Sequence, residues 1–276
     1  LPRFAANLSW LFTEHPFADR FAHAARAGFR AIECLFPYEL PAEIMAASLA
    51  RHGLEPVLIN LPPGDFAAGE RGLAALPGRE AEFEQSLVTG LAYAQRIGCP
   101  RVHVMAGLVP EDLVPARVRA CFVANLRRAV ERAADLGITV LIEPINPRDM
   151  PGYGLTHPDQ ALDLILEIGV PALRLQLDLY HCQIVAGDLE RRIEAALPWI
   201  GHVQIAAVPD RGEPDGGEIH YPHLFGVLDR LGYGGWVGCE YRPRGRTEAG
   251  LGWLAPWLSS GVRVSTESAA ASAGAS

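Results

Sequence analysis

No basic run breaks this sequence, and its formal net charge is −8. A surface of that sign repels a phosphate backbone, so nucleic acid is not expected as a partner. No apolar run approaches the ~20 residues that cross a bilayer, so no membrane segment is expected. No Cys-x-x-Cys pair occurs among the five cysteines, Cys34, Cys99, Cys121, Cys182 and Cys239. With no signal segment read at the start of the chain, this odd and scattered set implies reduced thiols and a cytoplasmic location. Cys34 and Cys239 lie in strand-like apolar runs and read as small core residues. No glycine follows the first strand-like run, where an open doubly wound sheet carries its phosphate-binding turn. That place reads Ser9-Trp10-Leu11-Phe12 instead.

What is present is a repeated alternation. The 276 residues are 49% hydrophobic, enough for a sizeable core. Strands are read at 4–8, 29–35, 56–61, 101–105, 138–143, 173–178, 202–205 and 236–240. Helices are read at 16–27, 42–52, 80–97, 116–136, 158–168, 189–197 and 222–231, with a closing helix at 249–258. Glycine repeatedly separates a helix from the next strand, as in parallel crossovers. Eight such units in roughly 250 residues predict an α/β fold with one (β/α)₈ TIM barrel over residues 1–260. Residues 261–276, rich in Ala, Ser and Gly from Ser265 onward, read as a disordered tail. Residues 62–78 are Gly/Pro-rich and too long for an ordinary connection, which points to function. Glu70 and Arg71 within that stretch read as part of a lid.

Four strands in the second half end on a carboxylate or an amide: Glu143, Asp178, Gln204 and Glu240. Desolvating such groups is costly, so they are expected to have partners or a cation. In a parallel barrel those ends converge on one mouth, where the chemistry is done. Three carboxylates and one amide oxygen form a hard donor set suited to Mg²⁺ or Mn²⁺. Glu143 and Glu240 end strands that lie across the barrel from each other. Two carboxylates placed so can flank a substrate, one taking a proton and the other returning it. The plainer account pairs each with an arginine, and Arg148, Arg242 and Arg244 are near in sequence. For Asp178 no helix to cap is evident, and His181 is placed in the loop beyond it, within reach of a ligand oxygen. Gln204 alone would be a satisfied buried amide. Arg211, in the loop after the seventh strand, is the candidate clamp for a carboxylate; a solvated arginine is the alternative. His103 reads as a core histidine or a substrate contact, and Glu33 is a weaker candidate of the same kind.

Together several stretches resemble the hydroxypyruvate isomerase family, within the xylose-isomerase-like barrels that include sugar 3-epimerases and endonuclease IV. They are Phe4-Ala5-Ala6-Asn7-Leu8-Ser9, Asn60-Leu61-Pro62-Pro63-Gly64-Asp65, His103-Val104-Met105-Ala106-Gly107, Ile142-Glu143-Pro144-Ile145-Asn146, Asp149-Met150-Pro151-Gly152-Tyr153, Gln176-Leu177-Asp178-Leu179-Tyr180-His181, Gly201-His202-Val203-Gln204-Ile205-Ala206 and Gly238-Cys239-Glu240-Tyr241. The resemblance runs from residue 3 to about residue 257. It implies a (β/α)₈ barrel with a divalent cation, Mg²⁺ or Mn²⁺, held by Glu143, Asp178, Gln204 and Glu240. It implies that Glu143 and Glu240 relay a proton, with His181, Arg211 and His103 as substrate contacts. The epimerases usually carry His where Gln204 stands, and endonuclease IV relatives carry many His ligands; both departures favour the hydroxypyruvate isomerase branch. Trp10 and Pro147 sit inside otherwise familiar stretches and bear on substrate fit. The expected reaction interconverts hydroxypyruvate and 2-hydroxy-3-oxopropanoate through an enediolate, in glyoxylate metabolism. The same chemistry on 2-oxo-tetronate (2-dehydrotetronate) is the first alternative, and a non-catalytic sugar-acid or metal-binding barrel the second. The expected partner is a small 2-oxo/2-hydroxy acid; a homo-oligomer is allowed, its order unspecified.

Overall fold

The computed structural model describes residues 2–258, so the tail expected from residue 261 lies outside the described residues. Eight strands carry the fold: β1 (Arg3–Asn7), β2 (Ala31–Cys34), β3 (Glu55–Asn60), β4 (Arg101–His103), β5 (Thr139–Ile142), β6 (Leu173–Asp178), β7 (Ile200–Ile205) and β8 (Trp236–Cys239). Each pairs in parallel with the next, and β8 returns to β1 through Arg3↔Trp236 to Ala6↔Cys239, closing the barrel. The helices are α1 (Phe17–Arg26), α2 (Ala42–His52), α3 (Glu80–Ile97), α4 (Pro115–Ala134), α5 (Pro158–Ile168), α6 (Leu179–Val185), α7 (Leu189–Ala196), α8 (Tyr221–Arg230) and α9 (Ala255–Leu258). The (β/α)₈ architecture read from the sequence is the one observed.

Local sequence explains which faces are buried. In α3, Phe83, Leu87, Leu91 and Ala94 recur every three or four residues and form one buried stripe. Each large apolar side chain so buried contributes about 1.5–3 kcal/mol. In β6 the residues alternate: Leu173, Leu175 and Leu177 lie on one face, Arg174, Gln176 and Asp178 on the other. The register pairs Gln176 with His202 and Asp178 with Gln204, and Gln204 with Gly238. One face of β6, β7 and β8 therefore stacks polar residues in layers toward one barrel end.

Two differences from the sequence reading matter for that end. A helix, α6, follows β6 with no intervening loop, and Asp178 caps it: its Oδ1 accepts the Tyr180 N–H at 2.8 Å. His181 consequently stands in the first turn of a helix, not in a loop. The seven-residue helix escaped sequence reading because Leu179 and Tyr180 continue the apolar run with no break. The closing segment is a 3₁₀ turn over Thr247–Leu254 running into α9, where one α-helix was expected. It lays Trp253 and Trp257 against Phe225 of α8, and Trp253 edge-on to Phe4 of β1, across the β8–β1 seam.

Two buried tyrosines tie down the chain where it leaves the strands. Tyr153 Oη accepts the Ala106 N–H at 2.9 Å beyond β4. Tyr221 Oη donates to the Ala206 carbonyl at 2.7 Å and accepts the Ala206 N–H at 3.1 Å beyond β7. Tyr221→Phe strands both peptide groups of a fully buried residue, so a loss of about 1–3 kcal/mol is expected. Urea unfolding of the variant checks this; an unchanged midpoint would show that water or a neighbour takes over both bonds.

Candidate active site

Each chemically interesting side chain reaches the barrel end from a different strand. Asn7 ends β1, Glu33 lies in β2, His103 ends β4, Glu143 follows β5, Asp178 ends β6, Gln204 lies in β7 and Glu240 follows β8. All seven are buried. A cavity of about 360 Å³ opens here, with Glu143, His181, Arg211 and Glu240 in its wall. Asp178 and Gln204 sit behind that wall. A groove of about 830 Å³ lies outside between α3 and α4, where Arg128 and Arg132 both pair with Glu84.

Glu240 has both of its carboxyl oxygens engaged. Its Oε1 accepts from Arg211 Nη2 at 2.6 Å, and its Oε2 from Gln204 Nε2 at 2.5 Å and Asn7 Nδ2 at 3.1 Å. Burial pushes its pKa up to about 8, against the downward pull of Arg211. Burial likewise pushes Asp178 up to about 6, again opposed by Arg211 3.5 Å away. Glu143 is raised well above the carboxylate range by burial first and by the charges of Glu240 and Asp178 next. Its nearest polar neighbours are His103 Nδ1 at 3.5 Å and His181 Nε2 at 3.9 Å. Glu143 Oε1 and Asp178 Oδ2 have no hydrogen-bond partner, and His181 Nε2 lies within 3.9 Å of both.

His103 and His181 are neutral here. Burial drives His103 down to about 3. His181 is lowered well below its usual value by burial, then by Arg211 and His103. The tautomer of His181 follows from its neighbours. Asn146 Oδ1 accepts the Asp149 N–H at 2.9 Å, so the Asn146 amide turns its Nδ2 to His181 Nδ1 at 2.7 Å. Nδ1 is then an acceptor and Nε2 carries the proton, aimed at the gap between Glu143 and Asp178. Glu143, Asp178 and His181 lie close enough to surround one ion. With this tautomer, however, His181 is a donor toward the cavity, and the two orphaned carboxylate oxygens are the donors that fit a hard cation.

The predicted residues are thus brought together, and two of them have partners the sequence did not indicate. Gln204 was expected to offer its oxygen to a cation. In this arrangement Glu33 (2.8 Å) and Glu240 both claim its Nε2, and its Oε1 accepts from Gln176 Nε2 at 2.6 Å. Two carboxylates on one side demand donors, so the amide shows them its nitrogen. Arg211 was expected to clamp a substrate carboxylate. Its fork is turned instead onto Glu240, Asp178 and Asp149, between the rings of Trp10 and Tyr180 at 4.7 and 4.9 Å. The site also contains residues the sequence reading passed over. Asn7 ends an apolar strand just as Asp178 does, and the same signal could have found it. Asn146 and Gln176 act through contacts that no local pattern announces.

The family model described as "Xylose isomerase-like TIM barrel" matches residues 21–257. A "2-oxo-tetronate isomerase" of Cupriavidus necator is 57% identical over 258 residues, covering 94% of this chain and 99% of that protein. The "hydroxypyruvate isomerase" of Escherichia coli is 46% identical over 255 residues, covering 92% and 99%. A crystal structure described as an AP endonuclease, family 2, from Brucella melitensis superposes with a TM-score of 0.91 at 52% identity, covering 93% and 99%. A 3-keto-D-glucoside 4-epimerase from E. coli, at 20% identity and a TM-score of 0.78, shares the fold.

The raised carboxyls set a sign for stability against pH. Glu240 holds its proton in the folded chain up to about pH 8, but loses it near the ordinary carboxylate value when unfolded. Its contribution is therefore fully present below the unfolded value and is lost as pH rises through about 8. The neutral histidines act oppositely, but only below about pH 6.5. In chelator, unfolding free energy should fall by about 1–2 kcal/mol between pH 6.5 and 8.5. Glu240→Gln should flatten that slope; a wild-type profile that rises across this window would contradict the assignment.

Proposed function

The chain belongs to the xylose isomerase-like TIM barrel family, and we propose that it interconverts hydroxypyruvate and 2-hydroxy-3-oxopropanoate by moving a proton between adjacent carbons. It is an isomerase of the hydroxypyruvate isomerase type. The observation that carries the proposal is the pair Glu143 and Glu240 in the wall of one cavity, both buried and both held above the ordinary carboxylate range. Carboxyls whose protonated form is favoured in this way are suited to give and take protons at carbon.

The roles follow from the neighbours. Arg211 favours the anion of Glu240, which makes Glu240 the base that takes the proton from C3 of hydroxypyruvate. Glu143, with no arginine in hydrogen-bond contact among the described residues, keeps its proton more readily and delivers one to C2. Between these events the substrate is an enediolate, and a hydroxyl proton passes from the C3 oxygen to the C2 oxygen. His181, with its proton on Nε2 and its ring fixed by Asn146, donates to one of these oxygens. A divalent cation of the Mg²⁺ or Mn²⁺ class, held by Glu143, Asp178 and Glu240, and by Gln204 once its amide turns over, would draw charge from the substrate oxygens and acidify the adjacent C–H. Gln176, whose Nε2 now donates to Gln204, would turn its amide as well, bringing Oε1, an acceptor without a partner among the described residues, to the Gln204 amide hydrogens.

A second reading places the same chemistry on the four-carbon acid 2-oxo-tetronate. The 57% identical relative of that name supports it. Parallel turnover of the three-carbon and four-carbon acids, each with Mg²⁺ or Mn²⁺, decides between them: the higher kcat/KM identifies the substrate. Deuterium uptake at carbon from heavy water is expected in either case; its absence with both acids would leave only a binding role. Glu143→Gln and Glu240→Gln should each lower kcat by roughly 10²-fold or more while the fold is kept. Full turnover in either variant would remove that residue from the relay.

A further inference from the structure

The proposed substrates are acids, yet the arginine expected to grip a carboxylate is spent on the protein's own. Two other guanidinium groups line the same cavity, Arg71 and Arg242. Among the described residues neither forms an ion pair with a carboxylate. Arg71 Nη1 donates to the carbonyls of Phe66 at 3.1 Å and Glu70 at 2.7 Å, and its guanidinium lies 3.9 Å from the Phe66 ring centre. Arg242 lies 5.3 Å over the ring of Trp10, on which Arg211 also packs. The 32 acidic residues of the chain make this choice informative. Glu70, beside Arg71 in sequence, turns instead to Arg79 at 2.7 Å.

Arg71 is held by built structure. Glu70 Oε2 accepts the Asp65 N–H at 2.5 Å, and the Gly72 N–H donates to Pro63 O at 2.9 Å. Gly72 pairs with Ala106 as an antiparallel bridge beyond β4, and a Cβ there would run into the Met105 carbonyl. Arg242 is fixed from its backbone, whose N–H donates to Arg211 O at 2.7 Å. The chain has no lysine, so every side-chain cation it can offer besides histidine is a planar fork suited to two oxygens. Resting on the function proposed above, we propose that Arg71 and Arg242 bind the substrate's carboxylate and select 2-oxo acids over neutral sugars. The acid end sits at the arginines while the adjacent carbons reach Glu143 and Glu240.

The test is steady-state kinetics of the metal-loaded enzyme on hydroxypyruvate and on dihydroxyacetone, which has a hydroxymethyl group in place of the carboxylate. Arg71→Gln and Arg242→Gln should each raise KM for the acid about tenfold or more, with a smaller change in kcat. The ratio of acid to dihydroxyacetone kcat/KM should fall accordingly, and Arg71→Lys or Arg242→Lys should recover part of it. Unchanged KM for the acid in both Gln variants, with an active wild type, overturns the recognition site and leaves the isomerase intact. If the wild type turns over no acid, calorimetric binding of tartronate, a three-carbon acid that cannot isomerise this way, takes over as the readout. Weaker tartronate binding by the variants then supports the recognition site although the isomerase proposal has failed; equal binding removes both.

Discussion

The barrel closes with four buried carboxyl groups at one end, Glu33, Glu143, Asp178 and Glu240, and one partly buried arginine, Arg211, among them. Everything else at that end answers this imbalance. Isolated carboxylates in a dry interior are expensive, and the fold meets the cost with donors. Asn7 and Gln204 each bridge Glu33 and Glu240, so two neutral amides serve two carboxyl groups. His202 Nε2 lies 2.5 Å from the second oxygen of Glu33. Arg211 takes a left-handed backbone, uncommon for a residue with a side chain, to bring its fork to Glu240 and Asp178. Among the described residues, Glu143 Oε1 and Asp178 Oδ2 are left without a hydrogen-bond partner, as are Gln176 Oε1, Arg211 Nε and both ring nitrogens of His103. A site that leaves its deficit facing the space where a cation or substrate enters gains from their arrival.

The layer below the cavity shows how closely the backbone is fitted to these charges. Gly238 of β8 is paired with Gln204 and Ala5. A Cβ at this position would collide with the carboxylate of Glu33. Its φ is not in the left-handed region, so the glycine is there for space, not for backbone freedom. Glu33 holds Gln204 and Asn7, and these hold Glu240. The position of the proposed base is therefore set from a neighbouring strand pair, across the seam where the last strand meets the first.

Much of this was legible in the sequence. Strand ends were readable because apolar runs stop abruptly at Glu143, Asp178 and Glu240, and barrel closure alone brings such ends together. The unit count then gave the architecture. What stayed hidden depends on the contacts between elements. Arg211 could be named but not its partners, since nothing local says that it folds back on Glu240 instead of reaching out. The Asp178 cap was hidden because strand and helix join without a polar break. The His181 tautomer rests on Asn146 being oriented by Asp149, two steps of geometry away from any motif.

To take up an acid as proposed, a chain of net charge −8 must solve a long-range problem as well as a local one. Salt screens exposed charges beyond roughly 8–10 Å, so the overall charge matters little once the substrate reaches the mouth. Inside that distance the dry walls give an incoming anion little solvation, so its charge needs protein donors. Arg211 cannot meet this need alone, for its charge is already shared among three acids. Cationic groups in the cavity wall that are not claimed by protein carboxylates are therefore required, and Arg71 and Arg242 meet that description. Their stacking on Phe66 and Trp10 limits the rotamers they would otherwise explore, so less entropy is lost when a carboxylate docks. The same separation keeps the two tasks apart: Arg211 biases the protonation of Glu240, while the outer arginines hold the part of the substrate that does not react.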